Sequence, residues 1–222
     1  LLDEIDKLIS EFKYIDDAPF SIDLKNNSLA IINNEGVYDD FLGAIILQLI
    51  ALHDYSALKL VILTDEFSNL NKLKNLNHCW SNDKKFRYFA SNIKEAEIVS
   101  GELVKIFNKN KALEEKNAKL TYYLIISDCV EKYKGLSIVE KIMFDNKGSN
   151  FSILMFANKM SDVPTGCQSF ITYNNQEASF FRSEMDEGSY LKFKPQLLDS
   201  SINYDRCIYL LSNIPIKMDS ET

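Results

Sequence analysis

Three continuous apolar segments, at 59–64, 122–127 and 151–157, constrain the fold of this 222-residue chain most strongly. A strand that is apolar along its whole length is covered on both faces, which is typical of a parallel sheet. Helical patterns separate these segments, and strand and helix alternate at least four times. We therefore predict a three-layer α/β fold, in which a mostly parallel, twisted sheet carries helices on both faces.

The remaining elements follow from apolar periodicity and from turn residues. Strands are predicted at 20–24, 28–32, 86–90, 169–173 and 178–182, and helices at 1–14, 37–52, 69–76, 93–109, 137–144 and 205–212. The charged segment 109–119 lacks an apolar stripe, so we interpret it as an exposed helix end and connector. Because no repeat or low-complexity segment occurs, residues 1–222 are predicted to form a single domain, with 1–19 as an N-terminal helix and lead-in.

Charge and apolar content exclude several classes of function. A net charge of -7 disfavours a nucleic-acid partner. The longest apolar stretch, 41–52, is too short to cross a bilayer and suits a buried helix. No signal peptide is evident, and the first residue is not methionine, so we expect a soluble, cytoplasm-facing fragment of a longer protein.

Cysteine and histidine positions argue against a metal site. None of the cysteines belongs to a CxxC pair, which is the usual core of a zinc site. Isolated cysteines suit a reducing compartment, where they pack as small apolar residues. The residues concerned are Cys79, Cys129, Cys167 and Cys207, with His53 and His78 as the two histidines.

The turn between the predicted 28–32 strand and 37–52 helix lies where a P-loop ATPase holds phosphate. Such a loop needs glycines, a lysine for the outer phosphates, and a serine or threonine for Mg²⁺. This turn has one glycine and lacks the lysine and the hydroxyl, while Glu35, Asp39 and Asp40 add negative charge. We therefore predict no bound cofactor, no metal and no catalytic residue. The vestigial phosphate-loop position consists of Asn33, Asn34, Glu35 and Gly36.

Asp128 follows the apolar segment 122–127, where the aspartate of a Walker B strand would reach Mg²⁺ through water. Cys129 follows in place of a catalytic glutamate, and Asp65 with Glu66 ends the 59–64 segment in a similar way. A carboxylate that closes a buried strand or caps the next helix is the simpler interpretation at both places. Asp128 is thus predicted to be a vestigial Walker B residue.

Other chemistries have weaker support in the sequence. A Cys/His dyad in His78-Cys79-Trp80 is conceivable, but a loop tryptophan that covers the sheet edge explains this triplet more simply. His53 ends the 37–52 helix, where it suits the helix dipole. No GxSxG motif of a serine hydrolase occurs, and the chain lacks the acidic pair of a receiver domain.

Several segments, taken in order, resemble a known family. Within 36–66 these are Ile45-Ile46-Leu47-Gln48-Leu49, His53-Asp54-Tyr55 and Leu58-Lys59-Leu60-Val61. The block 76–90 then looks like a Leu-Pro-His-x-Trp motif and an Arg-Phe strand, with Asn77 in place of the usual proline, and the likeness continues through 161–164. These features resemble the EssC/YukB family of FtsK/SpoIIIE-type membrane ATPases, which belong to type VII secretion systems.

The resemblance implies a degenerate ATPase-like module that precedes the first true ATPase domain of a membrane-anchored protein. Its implied role is the assembly or regulation of a motor that exports WXG100-type proteins, at the cytoplasmic face of the membrane. The implied partners are neighbouring ATPase domains of the same chain, an oligomeric ring and the secreted substrates. Two alternatives remain open: an NTPase that is active or completed by a neighbouring subunit, and a substrate or adaptor receptor.

Overall fold

The computed structural model describes residues 20–25, 27–33, 38–113, 120–174, 177–183 and 190–214. The strands are β1 (Ser28–Asn33), β2 (Leu58–Leu63), β3 (Phe89–Ala90), β4 (Tyr122–Ser127), β5 (Phe151–Ala157), β6 (Ser169–Asn174), β7 (Glu177–Arg182) and β8 (Leu191–Phe193). The α-helices are α1 (Tyr38–Leu52), α2 (Ile93–Leu113), α3 (Val130–Tyr133), α4 (Ser137–Phe144) and α5 (Tyr204–Ser212). Short 3-10 helices span Asn69–Asn75, Asn77–Cys79 and Met160–Asp162.

The strands form one eight-stranded sheet in the order β3-β2-β4-β5-β1-β6-β7-β8. Strands β1 to β6 pair in parallel, whereas β7 and β8 are antiparallel to their neighbours. The prediction of a mostly parallel sheet is therefore confirmed. The antiparallel strands lie at one side of the sheet, as in many α/β folds that add a hairpin to a parallel core.

Alternate residues of the central strands enter two separate hydrophobic cores. On β5, Ile153 contributes to the core under α2, α3 and α4, whereas Leu154 contributes to the core on the opposite face. That second core includes Ile46 of α1 and Ile208 of α5. The period of two along each strand produces this division, and the predicted three-layer arrangement is confirmed.

Two side chains cap the N-terminus of α2. The Asn92 side chain accepts a hydrogen bond from the Glu95 amide at 3.1 Å, and the Glu95 carboxylate accepts one from the Ser91 amide at 2.9 Å. This reciprocal arrangement satisfies amide groups that have no partner within the helix. The helix then continues to Leu113, four residues beyond the predicted end at 109.

The prediction of a strand at 20–24 is wrong. The Asp23 side chain accepts a hydrogen bond from the Lys25 amide at 2.8 Å, and this local turn competes with pairing to the sheet. Phe20 instead packs near Phe180 and Phe193, with ring centroids 5.5 and 4.8 Å away. The alternation of apolar residues in 20–24 thus reflects side chains that pack against the sheet, and this segment does not form a strand of the sheet.

The predicted strand at 86–90 is shorter in the structure, because only Phe89–Ala90 pairs with β2. Arg87 forms an isolated bridge with Trp80 instead. Strand β8 and helix α3 lie in segments for which no element was predicted. The predicted helix 1–14 and residues 114–119 lie outside the described residues.

Among the described residues, no helix combines the length and the apolar character needed to cross a bilayer.

Candidate functional site at the carboxyl edge of the sheet

The parallel strands β1, β2, β4 and β5 all end at one side of the sheet, which we term the carboxyl edge. Ligands of open α/β sheets bind beyond such an edge. Strand β5 lies between β1 and β4, so the end of β1 at Asn33 and Asp128 after β4 are separated by two strand spacings, about 10 Å. The end of β1 and Asp128 therefore lie at the same edge without being adjacent.

The phosphate-loop position is only partly described. The backbone of Asn33 ends β1, where it is level with Tyr173 of β6. Asn34, Glu35 and Gly36 lie outside the described residues. Helix α1 begins at Tyr38, so the chain passes from strand β1 to a helix here, as in a P-loop ATPase.

Asp128 is held by a serine from the loop that follows β2. The Ser68 hydroxyl donates a short hydrogen bond to Oδ2 of Asp128. The same hydroxyl oxygen accepts a hydrogen bond from the Leu70 amide at 3.0 Å and so caps the 3-10 helix Asn69–Asn75. Asp128 therefore holds the serine that caps this helix. This contact is of the kind expected of a carboxylate with a structural role at the end of a buried strand.

Two groups next to Asp128, the Cys129 thiol and the Tyr133 hydroxyl, stay protonated. Burial and the Asp128 carboxylate raise the pKa of the Cys129 thiol to about 12, so this thiol is neutral at physiological pH. Burial also raises the pKa of Tyr133, whose hydroxyl donates a hydrogen bond to the Thr64 carbonyl at 2.6 Å. Oδ1 of Asp128 and Oγ1 of Thr64 are buried without a hydrogen-bond partner in the described structure.

The second acidic strand end, Asp65-Glu66, also has a structural role. The Asp65 side chain accepts a hydrogen bond from the Glu66 amide at 2.7 Å. Lys132 lies 3.8 Å from Asp65 and 3.4 Å from the Ser91 carbonyl oxygen. This cation at the edge is thus engaged with groups of the protein itself.

The histidines lie at the opposite side of the sheet, where β2 begins. Nε2 of His78 lies 2.8 Å from the His53 carbonyl oxygen, which requires Nε2 to carry a hydrogen. Burial lowers the pKa of His78 and raises the pKa of the Cys79 thiol to about 12. A buried thiol that stays protonated is a poor nucleophile, so the Cys/His dyad has no support.

Two polar residues near the two ends of the sheet, Asn158 and Lys59, were not singled out from the sequence. Asn158 directly follows β5 and is exposed at the carboxyl edge, between the ends of β1 and β4. Its position directly after an apolar strand is the sequence signal that could have identified it as a residue of this edge. Lys59 is 1% exposed, and its ammonium group has no hydrogen-bond partner in the described structure. Its surroundings could not be predicted, because Tyr55 and Cys79 approach it only in the folded chain.

Possible metal ligands do not come together in the described residues, where no group of three or more His, Cys, Asp or Glu side chains is suitably placed. All four cysteines are free, and Cys79 and Cys167 are buried.

Comparison with known proteins relates this arrangement to ATPase domains. No protein-family model matches the sequence, and no curated protein has significant sequence similarity to it. Among solved structures, EssC (ATPases 2 and 3) from Geobacillus thermodenitrificans matches with a TM-score of 0.64 at 14% identity, over 87% of this chain and 45% of that chain. Thermomonospora curvata EccC (ATPases 2 and 3), in complex with a signal sequence peptide, gives 0.66 at 12% identity, over 88% and 44%.

A viral protein extends the comparison beyond secretion. B204, the DNA-packaging ATPase from Sulfolobus Turreted Icosahedral Virus, matches with a TM-score of 0.52 at 11% identity, over 78% of this chain and 100% of that chain. The chain thus spans less than half of the EssC and EccC chains, but the whole of B204. The resemblance seen in the sequence is confirmed at the level of the fold: this chain has the α/β fold of P-loop ATPase domains such as those of the type VII secretion ATPases EssC and EccC.

Proposed function

We propose that this chain is a non-catalytic, ATPase-like module of a type VII secretion membrane ATPase, which acts in the assembly or regulation of the export motor. The observation that carries the proposal is the state of Asp128. In this chain its Oδ2 holds the cap of the Asn69–Asn75 helix through Ser68, rather than standing free for a hydrated metal ion.

The sequence of the phosphate-loop position supports the same proposal. The 33–40 segment provides no lysine to neutralise a triphosphate, and it contains the acidic residues Glu35, Asp39 and Asp40. Two like unit charges 4 Å apart repel by about 4 kcal/mol at a surface-like dielectric constant. The favourable interaction with a helix N-terminus amounts to only about 1 kcal/mol. A carboxylate at such a distance from a bound phosphate would therefore outweigh the attraction that the helix N-terminus provides.

The proposed setting follows from the resemblance and from the solved relatives. Residues 1–222 would form one module of a longer, membrane-anchored chain, at the cytoplasmic face of the membrane. Its partners would be the neighbouring ATPase domains, within an oligomeric ring, and secreted WXG100-type substrates. A net charge of -7 makes nucleic acid an unfavourable partner.

Isothermal titration calorimetry with MgATP tests the proposal on the purified chain. We expect no saturable heat up to millimolar nucleotide, with B204 as a positive control in the same buffer. A dissociation constant in the micromolar range would contradict the proposal. Repeating the titration with Asp128→Asn then establishes whether any binding that is seen depends on this carboxylate.

A second candidate is an NTPase whose missing groups come from a neighbouring subunit. It is favoured by the buried Oδ1 of Asp128, which has no hydrogen-bond partner in the described structure. Phosphate release by the chain mixed with its neighbouring ATPase domain, compared with each component alone, tests this candidate. Synergistic turnover that disappears with Asp128→Asn supports it, and purely additive rates reject it.

A further inference from the structure

Phe67 projects from the loop between β2 and the 3-10 helix Asn69–Asn75, and its side chain is 96% exposed. The loop beneath it is fixed: the Asn71 side-chain nitrogen lies 2.7 Å from the Asp65 carbonyl oxygen, 3.0 Å from that of Glu66 and 2.8 Å from that of Ser68. An aromatic side chain on a fixed loop loses little conformational entropy on binding. Such preorganised aromatic residues are typical anchors of protein interfaces.

An open groove lies beside this loop, between α2 and the segment that joins α3 to α4. Its volume is about 490 Å³, which is ample for a phenylalanine side chain. Its apolar walls include Ile93, Val104 and Leu136. At both Gly101 and Gly135, a Cβ atom would have no heavy atom within 4 Å, so the surface is open above these glycines.

The projection and the groove belong to one continuous surface. Lys132 lines the groove, and its ammonium nitrogen lies 3.8 Å from the Asp65 carboxylate in the Phe67 loop. A surface with a projection next to a depression is complementary to itself. A two-fold axis between the two features places the projection of each copy in the depression of the other.

The charges on this surface also match a second copy. The loop presents the exposed carboxylate of Glu66 beside Phe67, whereas the exposed Lys94 and Lys134 lie next to the groove. Lys132 and Asp65 already pair with each other within one chain and are not counted in this match. Glu97 is the acidic residue in the groove lining. From these features we propose that two copies of this chain associate about a two-fold axis, with Phe67 of each copy inserted into the groove of the other.

Sedimentation equilibrium from about 10 to 500 µM, which covers weak protein affinities, tests the association. The wild-type chain is expected to form a dimer, and Phe67→Ala is expected to raise the dissociation constant at least about tenfold. Phe144→Ala is the matched control, because Phe144 is 93% exposed but belongs to neither feature. It should associate like the wild type.

A groove variant makes the test specific for the pairing of the two features. Gly101→Leu fills the groove from a position where the helix has open space, and it should weaken association as much as Phe67→Ala does. A mixture of the two variants keeps one intact contact per pair, so it should associate more tightly than either variant alone. Circular dichroism confirms that each variant is folded.

A wild-type chain that stays monomeric over the whole range overturns the proposal. Association that both variants leave unchanged, or a mixture no tighter than its components, overturns it as well. The calorimetry with MgATP is independent of this contact, so the proposed function and the proposed contact can fail separately.

Discussion

The two ends of β2 both place buried polar groups beside the sheet, but they are organised differently. At the carboxyl end, the Asp128 carboxylate accepts a hydrogen bond from the Ser68 hydroxyl. The Tyr133 hydroxyl donates a hydrogen bond to the Thr64 carbonyl oxygen. At the amino end, the ammonium group of Lys59 is buried without a hydrogen bond, 5.4 Å from the centroid of the Tyr55 ring. The Asp128 carboxylate thus has one hydrogen-bonded oxygen, Oδ2, whereas the ammonium group of Lys59 has no hydrogen bond in the described structure.

This difference bears on how a carboxylate at the end of a Walker B-like strand is interpreted. A carboxylate at the end of a Walker B-like strand can remain because it stabilises the protein, without any role in catalysis. A buried charge that lacks partners carries an energetic penalty instead. Substitutions at the two ends should therefore change the free energy of unfolding in opposite directions.

Lys59→Met should produce the largest effect and stabilise the chain at pH 7 by about 2 kcal/mol, since it removes a buried and unpaired ammonium group. Chemical denaturation measures this change. Lys72→Met, at an exposed lysine paired with Asp205, is the control and should stay within about 0.5 kcal/mol. Destabilisation by Lys59→Met would mean that the ammonium group has a partner in solution.

The same lysine predicts a dependence on pH. Burial lowers the pKa of Lys59 to about 8, so between pH 8 and 10.5 the unfolded chain binds more protons than the folded chain. The free energy of unfolding of the wild type should therefore rise with pH across this window, relative to Lys59→Met. Below pH 8 the difference between the two proteins should be constant. Parallel profiles up to pH 10.5 would contradict the assignment.

Ser68→Ala should destabilise the chain by about 2 kcal/mol, because it removes a helix cap and leaves the Asp128 carboxylate without its donor. Thermal and chemical denaturation both report this loss. Ser161→Ala replaces an exposed serine whose hydroxyl donates a hydrogen bond to the adjacent Asp162 side chain at 3.3 Å, and it should be nearly neutral. If the two variants lose equal stability, the Ser68 contact does not anchor the loop.

Asp128→Asn should destabilise the chain less, by about 1 kcal/mol, since the amide oxygen can still accept the Ser68 hydrogen bond without a full charge. Combining it with Ser68→Ala in a double-mutant cycle measures the coupling between the two side chains. We expect clearly non-additive losses. Additive losses would mean that the two groups contribute to stability separately.

The smallest effect concerns His78 at the amino end of β2. Burial lowers its pKa, so the unfolded chain binds the proton more readily below pH 6.5. The stability of the wild type should therefore fall as the pH decreases below this value, by less than about 1 kcal/mol. His78→Asn should reduce the slope, as measured by denaturation at pH 5.5 and 7.

The sequence was sufficient to predict the sheet because continuous apolar segments such as 122–127 and 151–157 leave few alternatives to buried parallel strands. It was misleading at 20–24, where the same alternation serves packing of Phe20 on the sheet. It missed β8, whose three residues are largely exposed at the sheet's outer side. The Ser68–Asp128 contact was beyond prediction, because it joins residues 60 positions apart.

The central proposal is that this ATPase fold does not bind nucleotide. An amide-resolved NMR titration of the purified chain with MgATP tests it most directly, because it reports on the 33–40 segment and on Asp128 residue by residue. We predict no saturable shift at these positions up to millimolar nucleotide. Saturable shifts at both, with a micromolar dissociation constant, would contradict the account.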